Sequence, residues 1–186
     1  MRRGFKTQAE RSAVEARKLL GITPLGKLDP WRYAEHLKVI ILDFNELGLS
    51  ASAVRQLTIT DEGSWSAMTL EEGDVRAIVL NPSHAATRQA NDLMHELAHI
   101  ELKHTPARVD ISQSGVFILS DYSDEQEQEA DWYAGAMLLP RDALWHYRSR
   151  TMQATEIAKI YGVSPALCDW RLRVTGIDVQ LKRMRG

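Results

Sequence analysis

The sequence predicts an α+β fold, in which a small antiparallel or mixed sheet packs beside several helices. Short runs rich in Val, Ile and Thr lie between residues 39 and 80 and are separated by turns that contain Asp, Glu and Gly. Two longer segments with helical spacing follow. The first covers about 84–104, and the second opens with a capping box of Ser123 and Gln126 and ends before Pro140.

The elements before the long helices follow in order. A helix is predicted over 7–20, and a short helix opens at Asp29 and Pro30. Asn81 and Pro82 end the strand region. Between the short helix and Asn81, four strands are predicted: 39–42, 54–60, 64–70 and 75–80. The last three of them form a meander. Further on, the apolar patch at 116–119 is assigned to a loop region.

The C-terminal part has a different character. Residues 155–177 predict two short helices around Gly162, a helix-turn-helix-like rhythm. We therefore expect a domain at 1–147 and a helical appendage at 148–186 packed on it. The appendage holds eight Lys or Arg against three acidic residues, so DNA binding is one interpretation. We favour packing over direct DNA contact, because several residues have the spacing of buried positions: Leu167, Trp170 and Leu172.

Composition limits the class of function. The chain has 186 residues with 23 Lys and Arg against 25 Asp and Glu, so no global charge favours nucleic acid or an acidic membrane. Cys168 is the only cysteine, which rules out an intramolecular disulfide. No stretch approaches the roughly 20 apolar residues of a membrane span, and no signal-peptide pattern opens the chain. We expect a cytoplasmic protein without a membrane partner.

Residues 95–99 read HELAH and match the pattern HExxH. On a helix, His95 and His99 lie one turn apart on the same face, where both imidazoles can reach one ion. Glu96 lies beside that ion, where its carboxylate can take a proton from water. HExxH also arises by chance on helices, so its surroundings matter.

The rest of this predicted helix supports a metal site. A core-facing stripe lies opposite the histidine pair and comprises Ala86, Ala90, Leu93, Leu97 and Ile100. The pair therefore faces away from the core. His104 falls on the apolar side near the helix end, so we expect it to pack there or to contact the last carbonyls, and not to bind the ion.

The acidic run at 124–131 supplies candidates for a third ligand. Glu127 shares its helix face with apolar residues, whereas Glu125 and Glu129 point to the opposite, solvated side. A carboxylate on an apolar face needs a partner, and a cation held by two histidines is one. Asp131, one turn after Glu127, is placed to accept a hydrogen bond from the free ring nitrogen of a ligating histidine.

With both segments identified, the chain resembles the ImmA/IrrE family of zinc metallopeptidases, which have a zincin-like fold. The resemblance rests on HELAH at 95–99 and on EQEADWYAGAMLLP at 127–140, which is similar to the family's Glu-x-x-Ala-Asn/Asp-x-aromatic-Ala run ending in Leu-Leu-x-Pro. The strand ending in IVLN before the metal helix is also similar to the family's.

The resemblance implies one Zn²⁺ per chain, held by His95, His99 and Glu127, with Glu96 as the general base. Asp131 stands where many members carry Asn, and its role toward a histidine is kept as a hypothesis. Imidazole and carboxylate ligands also suit Mn²⁺ or Fe²⁺.

The resemblance also implies hydrolysis of a peptide bond in a partner protein, a helix-turn-helix repressor whose cleavage derepresses genes. The alternative is a toxin or binding component that a helix-turn-helix antitoxin neutralises. We expect the substrate to lie extended along an exposed strand, with 64–70 as the edge candidate. Three residues are candidates for holding the oxyanion, and their spacing does not choose among them: Tyr122, Tyr133 and Arg88.

Overall fold

The computed structural model describes residues 1–61, 63–106, 108–111 and 117–185. In this part of the chain there are nine α-helices and five β-strands: α1 (Phe5–Leu19), α2 (Pro30–His36), β1 (Ile40–Leu42), α3 (Ala51–Arg55), β2 (Ala67–Glu72), β3 (Val75–Leu80), α4 (Ala86–Glu101), β4 (Arg108–Ile111), β5 (Phe117–Ser120), α5 (Asp124–Leu138), α6 (Arg141–Ser149), α7 (Ala154–Tyr161), α8 (Pro165–Thr175) and α9 (Ile177–Arg185). A 3₁₀ turn at Phe44–Leu47 and a π-helical turn at Gln56–Thr60 lie between β1 and β2.

The strands form one mixed sheet in the order β1-β3-β2-β5-β4. β1 runs parallel to β3, with Ile41 opposite Ile78, and the other neighbouring strands are antiparallel. Among β1, β2 and β3, β3 has the most buried side chains, including Ala77, Ile78 and Val79. α4 lies against β2 and β3. The predicted α+β fold with a small mixed sheet is confirmed.

The prediction of a strand over 54–60 is wrong. The segment continues α3 and then forms the π-helical turn Gln56–Thr60, in which the Thr58 hydroxyl donates to the Val54 carbonyl. Ile59 is 68% exposed, so the alternating apolar residues have no buried face to occupy. Alternation predicts a strand only where one face can be buried.

The place of β2 in the sheet also differs from the prediction. Residues 64–70 were the expected edge strand, whereas β2 lies between β3 and β5. Residue 116 of the predicted loop patch 116–119 lies outside the described residues, and the others belong to β5. β5 pairs with β2 over Thr69–Glu71, so the beginning of β2, at Ala67 and Met68, lies beyond these strand pairs.

Both long helices form as predicted, and their contact makes the centre of the core. On α4, Leu93 and Leu97 of the predicted stripe are buried, whereas Ala86 at the helix start is exposed. On α5, Ala130 and Ala134 are buried, and their small side chains let the helices approach closely. No helix in the described ranges is both long and apolar enough to cross a membrane.

Two buried arginines attach distant parts of the chain to the end of α5. Arg17 of α1 donates to the Met137 carbonyl. Arg171 of α8 donates to the Leu139 carbonyl and pairs with the Glu10 carboxylate. A buried charge is tolerated where oxygens accept its hydrogen bonds, as they do for the three nitrogens of the Arg17 guanidinium and for Nε and Nη2 of Arg171. Arg171 is therefore held inside the protein and not available to DNA.

The C-terminal helices contact the elements that precede them. α7 and α8 are joined by a short turn at Gly162, as the helix-turn-helix-like rhythm predicts. The ring of Trp170 on α8 packs edge-on against Trp132 of α5, with 5.8 Å between centroids. The division of the chain between residues 147 and 148 stays a prediction.

Gly135 of α5 lies directly against α8. A Cβ at this position would stand 2.6 Å from Cζ3 of Trp170 and 2.9 Å from Cδ of Arg171. We expect Gly135→Ala to lower the free energy of unfolding by about 1–2 kcal/mol, because overpacking outweighs the gain in helix propensity. Denaturant unfolding followed by circular dichroism measures the change. In the control Gly63→Ala, the new Cβ meets nothing within 4 Å; equal stability of both variants would contradict close packing of α5 on α8.

Candidate metal centre

Helix α4 supplies two histidines to one face. His95 and His99 lie one helical turn apart, and their Nε2 atoms are 3.0 Å apart. The His95 side chain is 21% exposed and that of His99 is 2% exposed. The two imidazoles therefore converge, one at the surface and one inside the protein.

Helix α5 brings a carboxylate to the same point. It begins with the predicted capping box, in which the Ser123 hydroxyl accepts from the N–H of Gln126 and the Gln126 side chain accepts in return from the N–H of Ser123. This start places Oε2 of Glu127 3.1 Å from Nε2 of His95 and 3.8 Å from Nε2 of His99. One ligand atom from each of the three residues lies within 4.8 Å of the others.

The spacing of these atoms fits a small tetrahedral cation. Zn²⁺ binds imidazole nitrogen and carboxylate oxygen at about 2.0–2.2 Å, which puts neighbouring ligand atoms roughly 3.3 Å apart. The three atom pairs in this group span 3.0, 3.1 and 3.8 Å. Two imidazoles and a carboxylate are also one of the known ligand sets of catalytic zinc. The residues present therefore fit a zinc ion.

The charge distribution also favours a cation. Burial opposes protonation of His95, yet its hydrogen bonds with Asp131 and Glu127 raise its pKa to about 10. Burial and the charge of His95 lower the pKa of His99 to about 3, so His99 is neutral at pH 7. The acidic groups that attract a proton to His95 attract a metal cation to the same place. A neutral His99 offers that cation a lone pair.

Asp131 contacts the Nδ1 edge of the His95 ring, opposite the Nε2 edge that faces His99 and Glu127. Its Oδ1 is 3.1 Å from Nδ1 of His95, the contact expected for a carboxylate that orients a ligating histidine. With the proton of His95 on Nδ1, its Nε2 is free to bind a metal. The sequence placed Asp131 for this role, which stays a proposal.

The predicted burial of the acidic residues on α5 is wrong. Glu127 was expected on a buried face, but its side chain is 42% exposed and that of Asp131 is 65% exposed. Glu129 was expected in solvent, yet its side chain is 3% exposed. Arg2 makes this burial favourable, because it donates to both carboxylate oxygens of Glu129 and its charge keeps the pKa of Glu129 below the usual value despite burial. Glu127 thus meets the histidines at the exposed edge of the helix pair.

Glu96 lies beside the three ligand atoms, and a residue of the sheet holds its carboxylate in place. The Thr69 hydroxyl on β2 donates to Oε2 of Glu96 at 2.6 Å. Burial raises the pKa of Glu96, which suits a residue that takes up a proton near neutral pH. Sequence reasoning missed Thr69, because no local pattern reveals which residue of a strand faces a helix. A polar cleft of about 350 Å³ opens here, lined by Ser66, Ala67, Asn91, Asp92, His95, Glu96, Glu127 and Asp131.

His104 is not one of the three residues, but its ring contacts the ring of His99. The N–H of Lys103 bonds to the carbonyl of Ile100 and the N–H of His104 to the carbonyl of His99, a Schellman ending of α4. Lys103 takes the required left-handed conformation, with φ 54°. The reversal brings Nδ1 of His104 to 3.1 Å from Nδ1 of His99. A helical wheel cannot show this contact, because His104 has already left the helix.

The structure separates the three oxyanion candidates. Tyr133 is buried, with its hydroxyl 3.3 Å from that of Tyr33. Arg88 donates to the Ser66 hydroxyl at the rim of the cleft. The ring of Tyr122 packs at a tilt of 31° against His99, with 3.7 Å between centroids. Burial raises the pKa of Tyr122 to about 12, so its hydroxyl keeps its proton. Tyr122 is the candidate in contact with the group.

The sequence profile of the peptidase M78 family, described as the IrrE N-terminal-like domain, matches residues 38–173, more than half of the chain. The chain belongs to this family. The resemblance found in the HExxH segment and in 127–140 is confirmed, and this M78 protein is a metallopeptidase of the IrrE/ImmA family. The matched region includes α4, α5 and the strands that support them. No curated protein sequence matches the chain.

Glu127→Ala removes the carboxylate from this M78 centre. We expect the purified variant, after loading with Zn²⁺ and dialysis, to retain well below one zinc ion per chain, because two imidazoles alone hold the ion weakly. Elemental analysis by plasma mass spectrometry measures the content. Glu125→Ala is the matched control, since Glu125 lies on the same helix with a side chain 59% exposed. Full zinc occupancy in Glu127→Ala would move the third ligand elsewhere.

Proposed function

We propose that the protein is a zinc-dependent endopeptidase that cleaves a partner protein. One observation carries this proposal: the Nε2 atoms of His95 and His99 and the Oε2 atom of Glu127 converge beside a partly buried glutamate, Glu96, that a strand residue orients. A purely structural metal site has no use for such a glutamate. Mn²⁺ or Fe²⁺ fits the same ligands, and elemental analysis of the purified protein identifies the ion.

In the proposed mechanism, His95, His99 and Glu127 hold the ion. The chemistry that a bound zinc ion supplies is Lewis acidity, which polarises a carbonyl and lowers the pKa of water. Glu96 accepts the proton of the attacking water and then delivers it to the leaving amide nitrogen. Asp131 keeps His95 in the tautomer that binds through Nε2. Tyr122, next to His99, donates a hydrogen bond to the oxyanion.

The beginning of β2 is a place where a substrate backbone could pair. The central part of β2 is covered by β5, but Ala67 and Met68 lie beyond the strand pairs with β5. Ser66 and Ala67 also line the cleft that contains Glu96. We propose that an extended segment of the substrate adds to this short end of β2, which aligns its scissile bond with the metal centre.

The proposed substrate is a helix-turn-helix repressor, whose cleavage derepresses genes in the cytoplasm. This identity rests on the family resemblance. The alternative is a toxin or binding component neutralised by a helix-turn-helix partner, with little or no general protease activity. The orientation of Glu96 by Thr69 favours the peptidase, because binding alone does not require a positioned proton acceptor.

Coexpression with the protein encoded by the neighbouring gene tests this function. We expect the wild-type chain to cleave that protein and Glu96→Gln to leave it intact, because a carboxamide cannot accept the proton. Electrophoresis and mass spectrometry of the products measure cleavage, and zinc content shows that Glu96→Gln still binds the ion. Cleavage by Glu96→Gln would rule out this mechanism. A stable complex that neither the wild-type chain nor Glu96→Gln cleaves would favour the alternative.

Thr69→Val tests the orientation of Glu96. The substitution keeps the side-chain volume but removes the hydroxyl that donates to Glu96. We expect kcat on the cleaved partner to fall about 10- to 100-fold with zinc content unchanged, because a misplaced base loses its alignment with water. Thr58→Val is the control, since its hydroxyl bonds within its own helical segment. Equal kcat in the Thr69→Val and wild-type proteins would show that the hydrogen bond has no role in the reaction.

A further inference from the structure

A row of polar groups leads from His99 away from the cleft. Nδ1 of His99 is 3.1 Å from Nδ1 of His104. Nε2 of His104 is buried and makes no hydrogen bond within 3.5 Å to the described residues, and Oε2 of Glu129 lies 3.6 Å from it, within ion-pair distance. Arg2 donates to Glu129 from its backbone N–H and from its guanidinium. The side chains of His104 and Glu129 are 5% and 3% exposed, so water does not compete for these contacts.

The positions of the protons in this row follow from imidazole chemistry. A neutral imidazole carries one N–H, so His99 offers Nε2 to a metal only when its proton is on Nδ1. His104 must then accept at Nδ1 and carry its own proton on Nε2, which faces Glu129. The Glu129 carboxylate attracts that N–H electrostatically and has no proton of its own to donate. In the opposite arrangement, His104 carries its proton on Nδ1. Its bare Nε2 then faces the Glu129 carboxylate, so that two acceptors meet, and the proton of His99 is on Nε2, where it blocks metal binding.

We propose that Glu129, acting through His104, is a positioning residue that holds His99 in the tautomer that binds the metal. The inference rests on the proposed zinc centre and extends it to residues outside the ligand set. His95 makes the corresponding contact directly, with Asp131. Helix α5 thus supplies the ligand Glu127, the acceptor Asp131 for His95, and Glu129, which acts on His99 only through His104.

Glu129→Gln tests which nitrogens carry the protons in this row. The backbone N–H and Nε of Arg2 both donate to Oε1, so the carboxamide oxygen takes that place. The amide nitrogen then replaces Oε2, loses the contact with Nη2 of Arg2 and faces Nε2 of His104. His104 then carries its proton on Nδ1 and favours the tautomer of His99 that cannot bind through Nε2. We expect zinc affinity to fall about 10- to 100-fold, measured as Kd by competition with a chromophoric chelator. Glu125→Gln, with the same change on the same helix, is expected to keep the wild-type Kd.

Two variants of His104 separate this role from a structural one. His104→Asn keeps an oxygen acceptor near Nδ1 of His99, so we expect a zinc Kd close to that of the wild type. His104→Leu removes the acceptor, and we expect a loss of about 10- to 100-fold. Thermal unfolding in the presence of EDTA measures the stability of the metal-free proteins. A structural role alone would lower both unfolding midpoints without separating the two Kd values.

The outcomes separate this inference from the peptidase proposal. A wild-type Kd in both Glu129→Gln and His104→Leu would overturn the role of the row and leave the metal centre intact. If zinc affinity depends on Glu129 but the wild-type protein cleaves no partner, only the peptidase function is contradicted. A wild-type protein that takes up no zinc would overturn both.

Discussion

The contact between α4 and α5 determines where the polar groups of the metal centre lie. His95 and His99 belong to α4 and Glu127 to α5, so neither helix holds the group alone. Buried Leu93, Leu97 and Met137 keep the two helices in register, and each such side chain contributes about 1.5–3 kcal/mol by burial. A slip of one turn, about 5.4 Å, would remove Glu127 from the histidines. The geometry of the site is therefore a property of core packing.

The centre has an open side and a closed side. Glu127 and Asp131 are half-exposed or exposed, so a metal and a substrate can approach past them. His99, His104 and Glu129 lie inside the protein, where hydrogen bonds are stronger because water is excluded. The open side admits reactants, and the closed side keeps the buried ligand in one orientation. Glu96 lies at the boundary, partly buried and lining the cleft.

Local signals in the sequence predicted the helices well and the sheet less well. The capping box at Ser123 formed because it needs only neighbouring residues. The assignment of 54–60 to a strand failed, because alternation is meaningful only when another element covers one face. The edge position expected for 64–70 failed for a related reason: β5 pairs with β2 from far along the chain. Strand order depends on long-range partners that composition and periodicity do not identify.

For the site, the sequence by itself was enough to place His95 and His99 on one helix face, because helical spacing and the HExxH pattern are local. Glu127 came from the resemblance of 127–140 to the family and from a burial argument that the structure does not support. The tertiary structure decided which charges are buried. Glu129 is enclosed because Arg2, 127 residues away, neutralises it, and Glu127 remains near solvent. Thr69 reaches Glu96 across a sheet–helix contact, and His104 reaches His99 through the reversal that ends α4. Long-range packing sets burial and hydrogen-bond partners, so these contacts follow only from the folded chain.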